Sequence, residues 1–262
     1  MKKYIVLIVV SLSFAQMQEV KKGEPRLTDN THGEMSTLWF QVSGEARAMF
    51  YQSYQLAKLR LDEYLALPRK AKALAVVTDV DETALDNSPY QAWMILNNKS
   101  YPAGWTEWVN KAEAAPLPGA LEFFQYAASK GVEIFYVTNR SLKERNGTVN
   151  NLKKMNFPFA DTNHVLVRTT ESSKQKRREM ITETFDIVLL CGDNLNDLAE
   201  FTKMTNMERN ATVDQNKKEF GNRFIVLPNP MYGDWEGATY EFKYGISDSA
   251  KAAKRRGALK GF

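Results

Sequence analysis

The chain of 262 residues has only two histidines, His32 and His164, and a single cysteine, Cys191. Two histidines exclude a three-histidine zinc site, and one cysteine excludes an internal disulfide and any cysteine-rich metal cage. The net charge is also small, because 31 acidic residues nearly balance 35 basic ones. The net charge therefore does not indicate a nucleic-acid polymer as partner. With 44% apolar and 25% charged residues, the composition is that of a globular protein and excludes collagen-like, disordered and coiled-coil chains.

The N-terminus carries a short apolar run. Lys2 and Lys3 precede the run at 4–14, and Ala15 closes it in a small-residue cleavage pattern. The run is too short to cross a membrane, which needs about 20 residues. We therefore expect a signal peptide over residues 1–15 and an exported protein in the periplasm or the medium; the alternative is a short core strand. No cysteine follows the run, so the sequence predicts neither a lipobox nor a transmembrane anchor.

Continuous apolar runs predict strands that are buried on both faces. They lie at 74–78, 132–137, 187–190 and 224–227, with 165–167 as a shorter fifth candidate. Helical patterns cover about 38–67, 119–130, 142–155, 173–182 and 195–202, and the basic stretch 251–260 is expected to be a solvated helix or tail. Alternating strands and helices predict an α/β fold with a parallel sheet and helices on both faces, in which ligands bind at the carboxyl ends of the strands.

The polar residues near the ends of these strands share one chemistry; they are Asp79, Asp81, Thr138, Asn139, Lys174, Asp193 and Asp197. Each short motif alone is more typical of a turn or a helix cap, but their succession after buried strands favours an active site. Carboxylates that meet repel one another unless a cation binds them, and an all-oxygen donor set suits Mg²⁺. Hydroxyl, amide and ammonium groups complement the oxygens of a phosphoryl group. Beside such a metal, one carboxylate can form an aspartyl-phosphate and a second can act as general acid and base.

These residues resemble the four motifs of the haloacid dehalogenase superfamily of phosphotransferases. The longer strings DVDETALDNSPY (79–90), YVTNR (136–140), VLLCGDNLND (188–197) and YGDWEG (232–237) are similar to the bacterial class C acid phosphatases, also called lipoprotein-e or four-aspartate acid phosphatases. The resemblance extends from about Trp39 to at least Gly237.

The resemblance implies a role for each matching residue. Asp79 would be the nucleophile and Asp81 the general acid and base, while Thr138 and Lys174 would bind the phosphoryl oxygens. Asn139 would have a weaker, supporting role in substrate binding.

The resemblance also implies a cofactor, Mg²⁺. The Asp79 side chain, the main-chain carbonyl of Asp81 and Asp193 would hold the ion, with Asp197 in support close by.

The family fold implies a Rossmann-like α/β core with a smaller helical region from the N-terminal segment and an insertion. Here the N-terminal helical segment would cover 16–70 and pack on a core at 71–262, and the insertion would run from about 85 to 116.

The family favours 5′-nucleotides and similar monoesters, whose bases stack on aromatic side chains. Trp105 and Tyr232 are at matching positions; Tyr90 and Trp235 are further candidates, for which packing in the core is the alternative.

The sequence therefore predicts an exported, Mg²⁺-dependent acid phosphatase that hydrolyses phosphomonoesters, including nucleoside 5′-monophosphates. Two alternatives stay open: transfer of the phosphoryl group to an alcohol, and a nucleotide-binding or aromatic-ligand-binding protein on a phosphatase scaffold. The oligomeric state is open as well, with a homodimer among the possibilities. Many relatives carry a lipobox cysteine that this chain lacks, so we do not expect membrane anchoring.

Overall fold

The computed structural model describes residues 29–68 and 72–262. The predicted signal peptide lies outside the described residues. Among the residues that are described, no helix is both long enough and apolar enough to cross a membrane.

The helices, in chain order, are α1 (Glu34–Val42), α2 (Gly44–Leu65), α3 (Ser88–Leu96), α4 (Trp105–Lys111), α5 (Ala120–Ser129), α6 (Arg145–Lys154), α7 (Gln175–Thr184), α8 (Leu195–Leu198), α9 (Asn206–Gln215), α10 (Asp234–Thr239) and α11 (Asp248–Ala258). The strands are β1 (Ala73–Thr78), β2 (Leu85–Asp86), β3 (Ala115–Pro116), β4 (Glu133–Ser141), β5 (Val165–Arg168), β6 (Phe185–Gly192) and β7 (Phe224–Val226). Short 3₁₀ turns cover Asp29–Gly33 and Leu142–Glu144.

Five strands form a parallel sheet in the order β5-β4-β1-β6-β7. All five predicted strands are present, and the predicted α/β fold with a parallel sheet between helices is confirmed. From β1 the chain builds β4 and β5 on one side, then returns through α7 to build β6 and β7 on the other. The carboxyl end of β1 is therefore the point where the strand order reverses, and ligands bind at this point in open α/β sheets.

Strand β1 shows why the sequence has continuous apolar runs. Val76 packs in the hydrophobic cluster that includes Phe50 of α2 and Phe124 of α5, whereas Val77 packs on the opposite face with Ile181 of α7. Successive side chains of a strand point to opposite faces, so a strand covered by helices on both sides needs apolar residues at every position.

Helix α2 buries one face against the sheet and α5. Its buried residues recur every three or four positions and are Ala46, Phe50, Tyr54, Ala57 and Leu61. The Tyr54 and Phe124 rings meet edge to face, with 5.7 Å between their centroids. The predicted boundary between segments 16–70 and 71–262 stays a prediction, but α2 is in direct contact with the core.

Several boundaries differ from the expectation. The pattern at 38–67 forms two helices because Ser43 is extended (φ −80°, ψ 137°) and its hydroxyl caps α2 by accepting from the Ala46 N–H at 3.0 Å. The helix predicted over 195–202 ends at Leu198. Strand β4 continues to Ser141, so Thr138 lies within the strand rather than after it.

The segment between β1 and α5 carries α3 and α4. It begins and ends in the antiparallel pair β2 and β3, where Leu85 lies opposite Pro116. Between them, Tyr90, Met94, Trp105 and Val109 form a small hydrophobic cluster of their own. This segment brings Trp105 close to β4.

Candidate active site

Asp79 lies directly after β1, at the point where the strand order reverses. Its N–H donates to the Cys191 carbonyl at 2.9 Å, which extends the pairing with β6 by one residue, and its side chain is buried. A tight turn follows, in which the Leu85 N–H donates back to the Val80 carbonyl at 2.8 Å. The Tyr54 hydroxyl of α2 donates to the Thr83 carbonyl at 2.7 Å and so fixes this turn to the N-terminal helix.

Three carboxylates meet at the ends of β1 and β6. One oxygen each from Asp79, Asp193 and Asp197 lies within 4.8 Å of the others. The Lys174 ammonium group donates to Asp79 Oδ1 and lies 2.6 Å from Asp197 Oδ1. Lys174 comes directly before α7. Four of the residues predicted from the strand ends therefore lie in one cluster.

The charges of this cluster are unbalanced. The pKa of Asp79 is raised to about 7, mainly by burial; Lys174 lowers the pKa, and Asp197 and Asp81 raise it. Burial, together with Asp197 and Asp79, raises the pKa of Asp193 well above its usual range, and the Asn229 hydrogen bond lowers it only in part. Burial lowers the pKa of Lys174, but Asp197 and Asp79 outweigh this effect and raise it. One lysine does not neutralise three carboxylates, so the all-oxygen set fits a divalent metal ion.

Neighbouring groups hold Asp193 and Asp197 in place. Asn229 Nδ2, which follows β7, donates to Asp193 Oδ2 at 2.7 Å, and the Asn194 N–H donates to Asp197 Oδ2 at 2.9 Å. Gly192 makes room for this arrangement, because a Cβ atom there would overlap the Asp197 side chain. The sequence analysis missed Asn229, although the strand-end rule that selected Asp193 also applies to the end of β7.

Asp81 is held by a second set of side chains. Arg140 donates to Asp81 Oδ1 from Nε at 3.0 Å and from Nη2 at 2.7 Å, and Asn87 Nδ2 donates to the same oxygen at 2.8 Å. The Thr138 hydroxyl lies 3.4 Å from Asp81 Oδ2. Arg140 is buried and also donates to Thr148 Oγ1 at 3.1 Å. Arg140 and Asn87 lie within the sequence motifs 136–140 and 79–90, which carry the resemblance, but neither residue was predicted to have a role.

Asn139 is directed away from the carboxylates. It is exposed, its Nδ2 donates to the Ser172 carbonyl at 2.9 Å, and its Oδ1 accepts from Arg177 at 2.8 Å. These contacts tie β4 to the loop before Lys174 and to α7.

The aromatic candidates lie in different surroundings. The Trp105 ring is mostly buried, 5.4 Å from the Arg140 guanidinium, and Tyr232 is half-buried against the main core. Tyr90 is a core residue whose hydroxyl donates to the Ala103 carbonyl at 2.8 Å. Trp235 is 47% exposed, so the alternative of packing in the core does not hold for it.

The parallel sheet carries buried carboxylates, a lysine and a threonine at its carboxyl edge, which is the arrangement that the resemblance to the haloacid dehalogenase superfamily implies. Residues 12–235 match the model of the HAD superfamily, subfamily IIIB (acid phosphatase), and the chain belongs to this family.

Solved structures support the same relationship. The chain is similar to the class C acid phosphatase from Bacillus anthracis, with 44% identity, a TM-score of 0.87 and coverage of 89% of this chain and 99% of that one. A structure of the Bacillus anthracis enzyme with tungstate bound gives 43% identity, a TM-score of 0.86 and coverage of 89% and 98%. The predicted resemblance to class C acid phosphatases is thereby confirmed.

Similarity to curated proteins is more distant. Acid phosphatase 1 from Solanum lycopersicum is 29% identical over 165 residues, which are 60% of this chain and 57% of that protein. Vegetative storage protein 2 from Arabidopsis thaliana is 24% identical over 165 residues, 60% of this chain and 55% of that protein. The chain thus spans little more than half the length of these two relatives.

Proposed function

We propose that the protein is an acid phosphatase that hydrolyses phosphomonoesters through an aspartyl-phosphate on Asp79. The observation that carries this proposal is the position of Asp79: it is buried at the reversal point of the sheet, in contact with Lys174. A second carboxylate, Asp81, lies two residues further on and is held separately by Arg140. Two carboxylates in different surroundings suit two different roles, nucleophile and acid/base.

The metal of this proposal is Mg²⁺. Asp79, Asp193 and the main-chain carbonyl of Asp81 would hold it, with Asp197 in support. When bound, the ion offsets the negative charge of the carboxylates and of the phosphoryl oxygens.

The chain's own residues perform the two displacement steps. In the first step an Asp79 carboxylate oxygen bonds to phosphorus, the bond from phosphorus to the leaving oxygen breaks, and Asp81 donates its proton to that oxygen. In the second step Asp81 takes a proton from water, the water oxygen bonds to phosphorus, and the bond to Asp79 breaks, which releases inorganic phosphate. Lys174 and Thr138 bind the phosphoryl oxygens in both steps.

The substrates of this proposal include nucleoside 5′-monophosphates. Stacking of a base on an aromatic ring contributes about 1–3 kcal/mol, enough to favour such leaving groups without excluding others. Trp105 and Tyr232 are the proposed stacking residues, and Asn139 supports the phosphoryl-binding edge through its contact with Arg177.

Export is part of the proposal, and the charged start, apolar run and small-residue end at residues 1–15 support it. Comparing the N-terminal sequence of protein recovered outside the cytoplasm with the full chain tests it. A new N-terminus close to Gln16 is expected.

Release of inorganic phosphate from a nucleoside 5′-monophosphate at mildly acidic pH, with and without Mg²⁺, tests the chemistry. We expect metal-dependent release that is abolished in Asp79→Asn, because an amide cannot serve as this nucleophile. Asp248→Asn, on the exposed helix α11, is the matched control and should keep full activity.

Two other outcomes would favour the alternatives. Phosphorylated alcohols formed in place of phosphate when an alcohol is added would indicate a phosphotransferase. Tight nucleotide binding by folded protein without phosphate release would indicate a binding protein.

A further inference from the structure

A cleft of about 560 Å³ opens between the segment that carries α4 and the ends of β4 and β5. Tyr101, Trp105, Ser141 and Arg168 are among the residues that line it. The Trp105 ring lies 5.4 Å from the Arg140 guanidinium, which in turn holds Asp81 at 2.7 Å. If Asp81 protonates the leaving oxygen, the leaving group departs on the side of Asp81, which Arg140 connects with the Trp105 wall of this cleft.

The distance along β4 sets the length of a molecule that fits. Ser141 pairs with Arg168 across the sheet and lies three residues beyond Thr138, which faces Asp81. Three residues of a strand span about 10 Å. A leaving group of the size of one aromatic ring with a substituent can thus connect a phosphoryl group at Thr138 with the Arg168 side chain.

Arg168 is the group in this cleft with unused binding capacity. It is half-buried at the end of β5, and within the part of the chain that the structure describes its side chain forms no hydrogen bond or ion pair. Partial burial of the Tyr101 hydroxyl and the carboxylates of Glu144 and Asp81 raise the pKa of Tyr101, and the nearby charge of Arg168 lowers it. A half-buried guanidinium without a partner has lost part of its hydration and is stabilised by an anion.

The other charged residues of the cleft do not supply that anion. Glu144 is buried, with Oε2 accepting from the Ser141 N–H at 2.7 Å and Oε1 accepting from Thr106 at 2.9 Å. Glu107 is exposed on the first turn of α4, and Lys143 adds a second positive charge at the rim.

We propose that this cleft binds the leaving group and that Arg168 selects phosphomonoesters whose leaving group carries a second anionic group. Arg168 is thus a specificity-determining residue, while Tyr101 and Trp105 contact the aromatic part of the leaving group. This inference rests on the proposed phosphatase function.

Three aryl phosphates of similar shape test the proposal: phenyl phosphates with a carboxylate, a carboxamide or a trimethylammonium group in the para position. For the wild-type protein we expect kcat/KM for the carboxylate to exceed that for the carboxamide by about fivefold at low salt, the upper range for a partly exposed ion pair. In Arg168→Gln this preference should disappear, because kcat/KM for the carboxylate falls to about that for the carboxamide. The preference should also decrease in about 0.5 M salt, which screens the charge.

Arg256→Gln, on α11, is the control for the same loss of charge elsewhere and should keep the preference. A carboxylate preference that survives in Arg168→Gln, or a trimethylammonium substrate that is preferred by the wild type, would overturn the proposal. If the wild-type protein hydrolyses none of the three, the proposed function itself fails, which distinguishes the two failures.

Discussion

Arg140 Nη2 lies 2.7 Å from Asp81 Oδ1, and Arg140 Nε donates to the same oxygen at 3.0 Å. The guanidinium is almost fully buried, whereas the Asp81 side chain is 18% exposed. A planar group with two donors fixes both the position and the orientation of a carboxylate. Arg140 is thereby a positioning residue for the proposed general acid and base.

The first prediction concerns this pair. Arg140→Gln should lower kcat/KM for an alkyl phosphate by about tenfold or more, because its poor leaving group needs a well-placed acid in the first step. It should change kcat/KM for 4-nitrophenyl phosphate much less, because that leaving group departs without protonation and kcat/KM does not include the second step. The ratio of the two rates does not depend on the amount of folded protein.

Arg140→Lys is the matched variant, because it keeps the charge but loses the two-donor geometry. It should fall between the wild type and Arg140→Gln in the rate ratio. Equal losses for both substrates would contradict the positioning role and indicate a general structural defect.

The second prediction concerns the metal. Removal of the Asn229 side chain frees Asp193 Oδ2 from a hydrogen bond of 2.7 Å. Loss of such a supporting contact weakens metal binding by about 10–100-fold. Asn229→Ala should therefore raise the Mg²⁺ concentration for half-maximal activity by at least about tenfold, with near-normal kcat at saturating Mg²⁺.

Asn206→Ala is the control, because Asn206 bonds to Thr239 on the surface. It should leave the Mg²⁺ dependence unchanged. An unchanged Mg²⁺ requirement in Asn229→Ala would show that Asp193 does not hold the ion in the way proposed.

The third prediction concerns the second histidine of the chain. The His164 ring lies between Phe135 and Phe159, at 4.9 Å from each, and its two nitrogens contact Asp161 at 2.9 Å and Glu133 at 3.0 Å. Burial lowers the pKa of His164, but the hydrogen bonds to the two carboxylates outweigh it and raise the pKa above the ordinary value.

A raised pKa in the folded state means that protonation stabilises the fold. This contribution is fully present below the pKa of an unfolded histidine, about 6.5, and is lost as the pH rises through the folded pKa. His164→Gln should therefore lower the free energy of unfolding more at about pH 5.5 than at about pH 8.5. The two losses should differ by about 1 kcal/mol. Urea unfolding at both pH values measures this difference, and a loss that is equal or greater at the alkaline value would contradict it.

The sequence was sufficient to predict the sheet and most of the site. The strands at 74–78 and 187–190 are recognisable because burial on both faces leaves no polar position, and the rule for parallel sheets then brings Asp79 and Asp193 together. Thr138 was correctly associated with this edge, although it lies inside β4.

The remaining contacts depend on side chains that approach from distant parts of the chain. Arg140 and Asp81 are separated by 59 positions and Asn229 and Asp193 by 36, and no local pattern encodes either distance. The break at Ser43 was missed because the apolar period continues across it, although a serine that caps the next turn is a known helix start. Arg168 ends a short strand, and its significance follows only from the cleft that α4 and β4 form with it.

The central claim is the covalent intermediate on Asp79, and Asp81→Asn with 4-nitrophenyl phosphate tests it most directly. An amide at position 81 cannot activate water, whereas the good leaving group still departs, so the phosphorylated enzyme should accumulate. We predict a burst of about one 4-nitrophenol per protein molecule, with the phosphoryl group recovered on the peptide that contains Asp79. The account would be contradicted by the absence of a burst or by a phosphoryl group on another residue. It would also be contradicted by a burst that persists in the double variant that carries both Asp81→Asn and Asp79→Asn.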